Sequence, residues 1–350
     1  MLDEGRLSRV IEKMTTDCLL ITDPVSIAYL CGKKIEPGER FLGLLIGKGI
    51  EPVLILNQLF RFSDAIGVRV EYYKDTDTIT NIISQFIDKN GSLGVDKIMP
   101  ARFLIPMMEA KIAAEFKLGS YAVDHTRAIK DAREQELMRA ASHINDLAMA
   151  EFKKLIHDGV TEVEVASQML DIYQRLGASG YSFEPIVAFG KNAADPHHMP
   201  DDTVLFDVGC VVNGYCSDMT RTFFYKKYPT SEQVEVYNLV RKANESAESY
   251  CKPGVRLCDI DAVARNIITE GGFGEDFTHR LGHFIGTETH EYGDVSQAFT
   301  DLTVEGNTFS IEPGVYHPSI LGCRIEDLVL ITKDGCEVLN HYPHEIEVIE

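Results

Sequence analysis

The side chains whose types and spacing could do chemistry are mostly acidic. Asp207 lies in Leu205-Phe206-Asp207-Val208-Gly209, where one charge interrupts an apolar run. A charge buried there is costly unless it is paired or bound to a metal. Alone, it reads equally well as an aspartate capping a local turn, since charged residues are seldom fully buried without a partner. Asp218 alters that balance. Asn213-Gly214 is the favoured dipeptide of a two-residue hairpin turn. Turning there sets Val212 against Tyr215 and, back along the ladder, Asp207 opposite Thr220. Asp218 then shares a face with Asp207 as its diagonal neighbour, roughly 7 Å away at the backbone end. Two aspartates aimed at one point repel each other, and a divalent cation between them resolves the conflict.

Similar groups recur further on. Glu312 ends Phe309-Ser310-Ile311 just before Pro313-Gly314, which must turn the chain. Glu326 lies in Arg324-Ile325-Glu326-Asp327, and a strand period of two puts Arg324 on its face. An Arg–Glu surface pair is the ordinary alternative there. His283 is enclosed in Leu281-Gly282-His283-Phe284-Ile285-Gly286, where the glycines permit close backbone approach. A lone histidine in an apolar run is more often a packed core residue. Counted with four carboxylates, it completes a mixed oxygen and nitrogen set whose charge two divalent cations balance. Such a set suits Mn²⁺, Co²⁺ or Zn²⁺ better than copper or an iron–sulfur cluster.

The elements that must position these groups follow from periodicity. Apolar runs at 18–21, 41–46, 53–56 and 93–95 predict buried strands. Ile79, Ile82, Ile83, Phe86 and Ile87 predict an amphipathic helix over 78–90, capped by Asp77 and ended by Gly91. These make a small α/β domain without a phosphate-cradling glycine loop. Beyond it a plan repeats. A helix over 133–157 precedes one opened by the capping box Thr161-x-x-Glu164, and a strand pair spans 204–224. A helix opened by Thr230-x-x-Gln233 and another over 259–270 precede strands at 308–311 and 323–331. Helix, helix, strand pair occurs twice, which predicts two related halves with a site between them.

Composition narrows the field. The chain has 350 residues, enough for two domains. Its 34 basic and 54 acidic residues give a net charge of −20, which argues against nucleic acid or an anionic membrane as the main partner. The sequence opens without a basic-then-apolar leader and has no run long enough to cross a bilayer. Eight dispersed cysteines lack a CxxC pair, so the expected setting is cytoplasmic, with reduced thiols.

In their order and local contexts, Asp207, Asp218, His283, Glu312 and Glu326 resemble the metal ligands of the pita-bread metallopeptidases, a family that includes Xaa-Pro dipeptidase (prolidase), aminopeptidase P and methionine aminopeptidase. The specific phrases are Ser217-Asp218-Met219-Thr220-Arg221-Thr222, Ser310-Ile311-Glu312-Pro313-Gly314 and Arg324-Ile325-Glu326-Asp327. Ile21-Thr22-Asp23-Pro24 and Pro37-Gly38-Glu39-Arg40 are similar to a prolidase N-terminal domain. The resemblance implies an α+β pita-bread (creatinase/aminopeptidase-like) catalytic domain over 123–350, behind a smaller creatinase/prolidase-like α/β domain over 1–122. It implies two divalent ions held by those five residues, manganese first, with cobalt or zinc as alternatives. It makes His197, in Asp195-Pro196-His197-His198, and His290, in Thr289-His290-Glu291, catalytic, with Glu312 as proton carrier and Arg324 orienting Glu326 or the substrate.

The implied activity is that of an Xaa-Pro dipeptidase using a metal-bridging hydroxide on Xaa-Pro dipeptides or short peptides with proline second. The alternative is an aminopeptidase P acting on longer peptides. More remote are a metal-free creatinase-like hydrolase and a non-catalytic binding protein, since both usually lose ligands and none is missing here. The N-terminal domain and Arg324 favour the proline-specific branch over methionine aminopeptidase, and the family implies a homodimer. There are three departures. The segment between Pro200 and Val204 is short, and Phe284 replaces a common glycine. Gly293-Asp294 stands where prolidases often carry an arginine thought to hold the dipeptide carboxylate.

Overall fold

The computed structural model describes residues 1–62, 66–190 and 203–350, and the chain divides between Arg127 and Ala128 into two units. In the first unit, strands β1 (Cys18–Ile21), β2 (Leu42–Gly47), β3 (Ile50–Asn57), β4 (Arg69–Tyr73), β5 (Ser92–Val95) and β6 (Glu115–Leu118) form a sheet in the order β4-β3-β2-β1-β5-β6. Every residue of β1 and β2 is buried. Strands covered on both faces read as continuous apolar runs rather than alternating ones. The cover comes from α1 (Glu4–Lys13), α2 (Pro24–Cys31), α3 (Ile79–Ile83), α4 (Ala101–Glu109) and α5 (Tyr121–Arg127). Leu7, Ile27 and Val123 of α1, α2 and α5 belong to one core cluster, and Ile83 and Met107 of α3 and α4 to another. Because α5 packs on α1, the unit runs through Arg127, past the 122/123 division drawn from the sequence.

The helix expected over 78–90 is shorter. Its α-helical part stops at Ile83, and Thr78 rather than Asp77 is the N-cap residue. The Ser84 hydroxyl and the Gln85 side-chain amide both donate to the Asn81 carbonyl, at 2.9 and 3.2 Å. They occupy the acceptor that another helical turn would have used, and the Gln85 N–H turns to the Ile82 carbonyl instead. Ile83 and Ile87 are buried all the same.

In the second unit, α6 (Ala132–Phe152) and α7 (Glu162–Leu176) precede β7 (Gly180–Tyr181), β8 (Ile186–Phe189), β9 (Thr203–Val208), β10 (Cys210–Val212), β11 (Tyr215–Cys216) and β12 (Met219–Tyr225). Then come α8 (Ser231–Tyr250), α9 (Leu257–Glu270), β13 (Gly282–His283), β14 (Asp294–Val295), β15 (Thr308–Ile311), β16 (Gly314–His317), β17 (Leu321–Arg324) and β18 (Asp327–Ile331). Thr161 with Glu164 and Thr230 with Gln233 close the expected capping boxes. Helix α6 ends at Phe152 and tightens into a 3₁₀ turn over Lys153–Leu155, short of His157. Each helix pair packs on its own strands. Phe152 and Tyr173 meet Phe206 and Phe223, while Val240 and Ile260 meet Phe309 and Val329. The repeated plan thus becomes two cores, each supporting one wall of the site.

Candidate active site

Asn213 and Gly214 have φ of 50° and 85°, the left-handed backbone that both central residues of this hairpin turn require. Val212 pairs with Tyr215, and Asp207 of β9 pairs with Thr220 of β12. Asp218 precedes β12, and both aspartates are buried. Thr220 links the halves. Its hydroxyl donates to Glu326 Oε2 at 2.6 Å and accepts from Arg324 Nε at 2.9 Å.

The strand expected over 323–331 is interrupted where the chemistry lies. β17 ends at Arg324 and β18 starts at Asp327, and between them Glu326 bridges to Thr220, its N–H donating to the Thr220 carbonyl at 3.1 Å. His283 sits on β13 because Gly282 lets that strand approach β15. A Cβ at Gly282 would lie 1.9 Å from the Ser310 carbonyl oxygen. The His283 N–H donates to Ser310 Oγ at 3.0 Å, and that hydroxyl donates to Glu312 Oε1 at 3.1 Å. His283 Nδ1 lies 3.2 Å from the Phe284 carbonyl, which assigns the ring proton to Nδ1. Nε2 then faces Asp218 Oδ2 at 3.5 Å and Glu312 Oε1 at 3.7 Å.

Donor atoms of Asp218, His283 and Glu326 all lie within 4.8 Å of one another. Asp218 Oδ1 is buried without a hydrogen-bond partner. Burial pushes the carboxyls of Asp207, Asp218, Glu312 and Glu326 up, Glu312 to about 7, and for the last three the neighbouring acids push the same way. Crowded buried carboxylates, one imidazole and an orphaned oxygen fit a divalent cation.

Arg324 is buried too, and every arm of it is engaged. Nη2 donates to Asp207, Nε to Thr220, and Nη1 to Tyr316 Oη at 2.9 Å. Its direct partner among the acids is therefore Asp207, and it meets Glu326 through Thr220. His279 Nε2 lies 3.1 Å from the Tyr316 hydroxyl. Neither Tyr316 nor His279 was singled out from the sequence. Tyr316 was findable: Gly314 pairs with Arg324, so Tyr316 is the diagonal neighbour on the same face. His279 carries no such signal.

The rings of His290 and His283 are 4.2 Å apart. Burial, then the charges of His283 and Arg280, push the His290 pKa down to about 4, so its imidazole is neutral at pH 7. Asp207, Asp218, His283, His290, Glu312, Arg324 and Glu326 all line one cavity of about 270 Å³, with Phe183 and Ile186 as an apolar wall. His197 and the start of the shortened segment lie outside the described residues. Phe284 does not line the cavity. It is buried against Phe309, with ring centroids 5.3 Å apart.

Comparison with known proteins gives the same answer from another direction. Residues 136–333 match the model of metallopeptidase family M24, and residues 5–129 match the creatinase/prolidase N-terminal domain. An uncharacterized peptidase of Staphylococcus aureus (strain MW2) is 37% identical, over 96% of this chain and 99% of its own. The prolidase structure from Pyrococcus horikoshii OT3 is 31% identical with a TM-score of 0.88, covering 98% of this chain and 100% of that one. The X-Pro aminopeptidase structure from Thermotoga maritima MSB8 is 28% identical with a TM-score of 0.82, covering 97% and 100%.

Proposed function

The chain belongs to metallopeptidase family M24, and from that premise we propose that it is a two-metal exopeptidase that hydrolyses the Xaa-Pro bond, chiefly as an Xaa-Pro dipeptidase. One observation carries the reading: four carboxylates and an imidazole from both halves converge on one cavity, with a buried carboxylate oxygen left unpartnered. Asp207, Asp218, His283, Glu312 and Glu326 would hold the ions, manganese first and cobalt or zinc as alternatives. When bound, the ions supply Lewis-acid polarisation of a water and of the scissile carbonyl.

The side chains do the rest. Arg324 fixes the Asp207 carboxylate and, through Thr220, that of Glu326. Neutral His290 donates a hydrogen bond to the carbonyl oxygen as it gains negative charge. His197 is assigned a similar contact by resemblance alone. Glu312 takes the proton released by the attacking water and returns it to the proline nitrogen as the C–N bond breaks. That bond is a tertiary amide without an N–H, so a site that does not rely on this donor suits it. Phe183 and Ile186 offer the pyrrolidine ring an apolar surface.

Among the described residues no helix is long and apolar enough to cross a membrane. The homodimer and the choice of manganese rest on the family resemblance, and the cytoplasmic setting on the eight dispersed cysteines without a CxxC pair. Manganese-loaded protein given Leu-Pro and Leu-Pro-Pro in parallel tests the reading. Proline release from Leu-Pro is expected. Preference for the tripeptide would move the enzyme to the aminopeptidase side, which the Thermotoga likeness supports, and cleavage of neither would overturn the proposal.

A further inference from the structure

His290 reaches the cavity from the loop that joins β13 to β14. Among the described residues no hydrogen-bond partner holds either of its ring nitrogens. The place of the ring is therefore set through the backbone, by whatever holds the residues on either side.

Thr289, on one side, donates through Oγ1 to the Ser182 carbonyl at 2.9 Å. Glu291, on the other, is tied at more points. Its N–H donates to the Phe284 carbonyl at 2.8 Å. Its carboxylate folds back over the loop, where Oε1 accepts from the Thr287 N–H at 2.9 Å and from the Thr287 hydroxyl at 3.2 Å. Gly286 makes room for it, since a Cβ there would lie 2.7 Å from Oε1. Oε2 accepts from Lys130 Nζ at 2.8 Å, across 161 residues of chain.

Lys130 is itself anchored. Its N–H donates to the Gly306 carbonyl at 2.8 Å, and its own carbonyl accepts from Gln135 Nε2 on α6 at 3.0 Å. The two charged side chains are only 1% and 4% exposed. Charges taken out of water lose about as much hydration as their attraction returns, and an apolar pair of similar volume is often as stable. Stability is thus a weak reason for a buried ion pair here. What an apolar pair lacks is direction. A carboxylate with both oxygens met by fixed donors has one place to sit, and the chain at residue 290 follows it.

We infer that Lys130, by holding the Glu291 carboxylate, is a positioning residue that sets where the His290 imidazole stands in the cavity. The inference rests on the proposed role of His290 as a hydrogen-bond donor to the reacting carbonyl. A group misplaced by about 1 Å can cost on the order of a hundredfold in rate.

The test replaces both charges by apolar side chains of similar length, K130M/E291M, in the full chain. A pair that served stability alone would give wild-type turnover once the apolar pair had restored the fold. The expected result differs. The thermal midpoint should return close to the wild-type value, above that of K130M alone, because no charge is left buried without a partner. On Leu-Pro, kcat of the manganese-loaded variant should still fall ~10- to 100-fold, with KM within about twofold. In an H290N background the same pair should cost little further, because the residue it acts through is gone. A full second loss there, or wild-type kcat in K130M/E291M, overturns the inference. Imidazole NMR of the zinc-loaded chain with labelled histidine reads the ring without turnover. H290N identifies the His290 signal, and K130M/E291M should shift or broaden it. E291Q, which keeps the shape and drops the charge, should move the signal too, and it serves if the apolar pair does not fold. A displaced signal, in a protein whose wild type does not cleave Leu-Pro, keeps the positioning and sinks the activity. Cleavage of Leu-Pro with an unmoved signal does the reverse.

Discussion

Asp96 in the first unit and Asp218 in the second are buried to similar extents, 8% and 3% exposed, and their surroundings treat them in opposite ways. Asp96 accepts from the Thr22 hydroxyl at 2.9 Å, from the Asp23 N–H at 2.8 Å and from the Thr22 N–H. Asp218 has one oxygen without a donor and the other facing His283 and more acids. Burial raises both carboxyls, but hydrogen bonds pull Asp96 back while the Asp207 charge pushes Asp218 further. Burial alone therefore does not mark a functional acid. The supply of donors does: a saturated acid fastens a loop, and a starved one among other acids is a socket for a cation.

The largest test of that contrast is Asp218→Asn. Metal content, read by atomic emission, and kcat/KM should fall together, activity by at least ~10²–10³-fold, as for removal of a group that stabilises developing charge. The metal-free variant should melt above the metal-free wild type, because one charge leaves a repelling group. A metal-replete, active D218N would break the comparison. Arg324→Lys comes next. Lysine keeps the charge but cannot serve Asp207, Thr220 and Tyr316 at once. Metal affinity or activity should drop roughly tenfold to a hundredfold, as when a partner that orients a ligand is lost. Asp96→Asn should leave metal content and turnover intact and cost about 1–3 kcal/mol in urea unfolding, since a donor then faces the donors of Thr22 and Asp23.

How much of this was legible in the sequence depends on how local the signal was. Asn213-Gly214 set the register that places Asp207 opposite Thr220, because turn chemistry and a period of two act over few residues. The Thr161 and Thr230 caps were legible for the same reason. Non-local features were not. The shortening of α3 turns on which donors reach the Asn81 carbonyl. The pairing of Arg324 with Asp207 joins residues 117 apart in the chain, and no periodicity reports that. Phe284 stands where the family commonly has glycine, and its ring occupies space open only because residue 293 is glycine, where a Cβ would meet it at 2.5 Å.

Glu248 on α8 shows a third treatment of a buried acid and gives the mildest test. It is 8% exposed and its Oε1 has no hydrogen-bond partner. The nearby Asp327 is ion-paired with Arg221 at 2.6 Å and His344 at 2.8 Å. Burial first, and the Asp327 charge second, push the Glu248 carboxyl from 4.5 up to about 9. Here the proton does what hydrogen bonds do for Asp96. Below the unfolded-chain value of 4.5 both states hold that proton, and Glu248 has no effect on the pH dependence. Above it the unfolded chain releases the proton and the folded protein keeps it, so stability falls as pH rises and levels off once pH passes about 9. Glutamine has nearly the same shape and no proton to lose. Glu248→Gln should therefore leave turnover unchanged and gain on the wild type in thermal midpoint steadily between pH 5 and 9. Midpoints that run parallel over that range would mean Glu248 is ionised in the fold, and its orphaned oxygen would then have to be counted with that of Asp218.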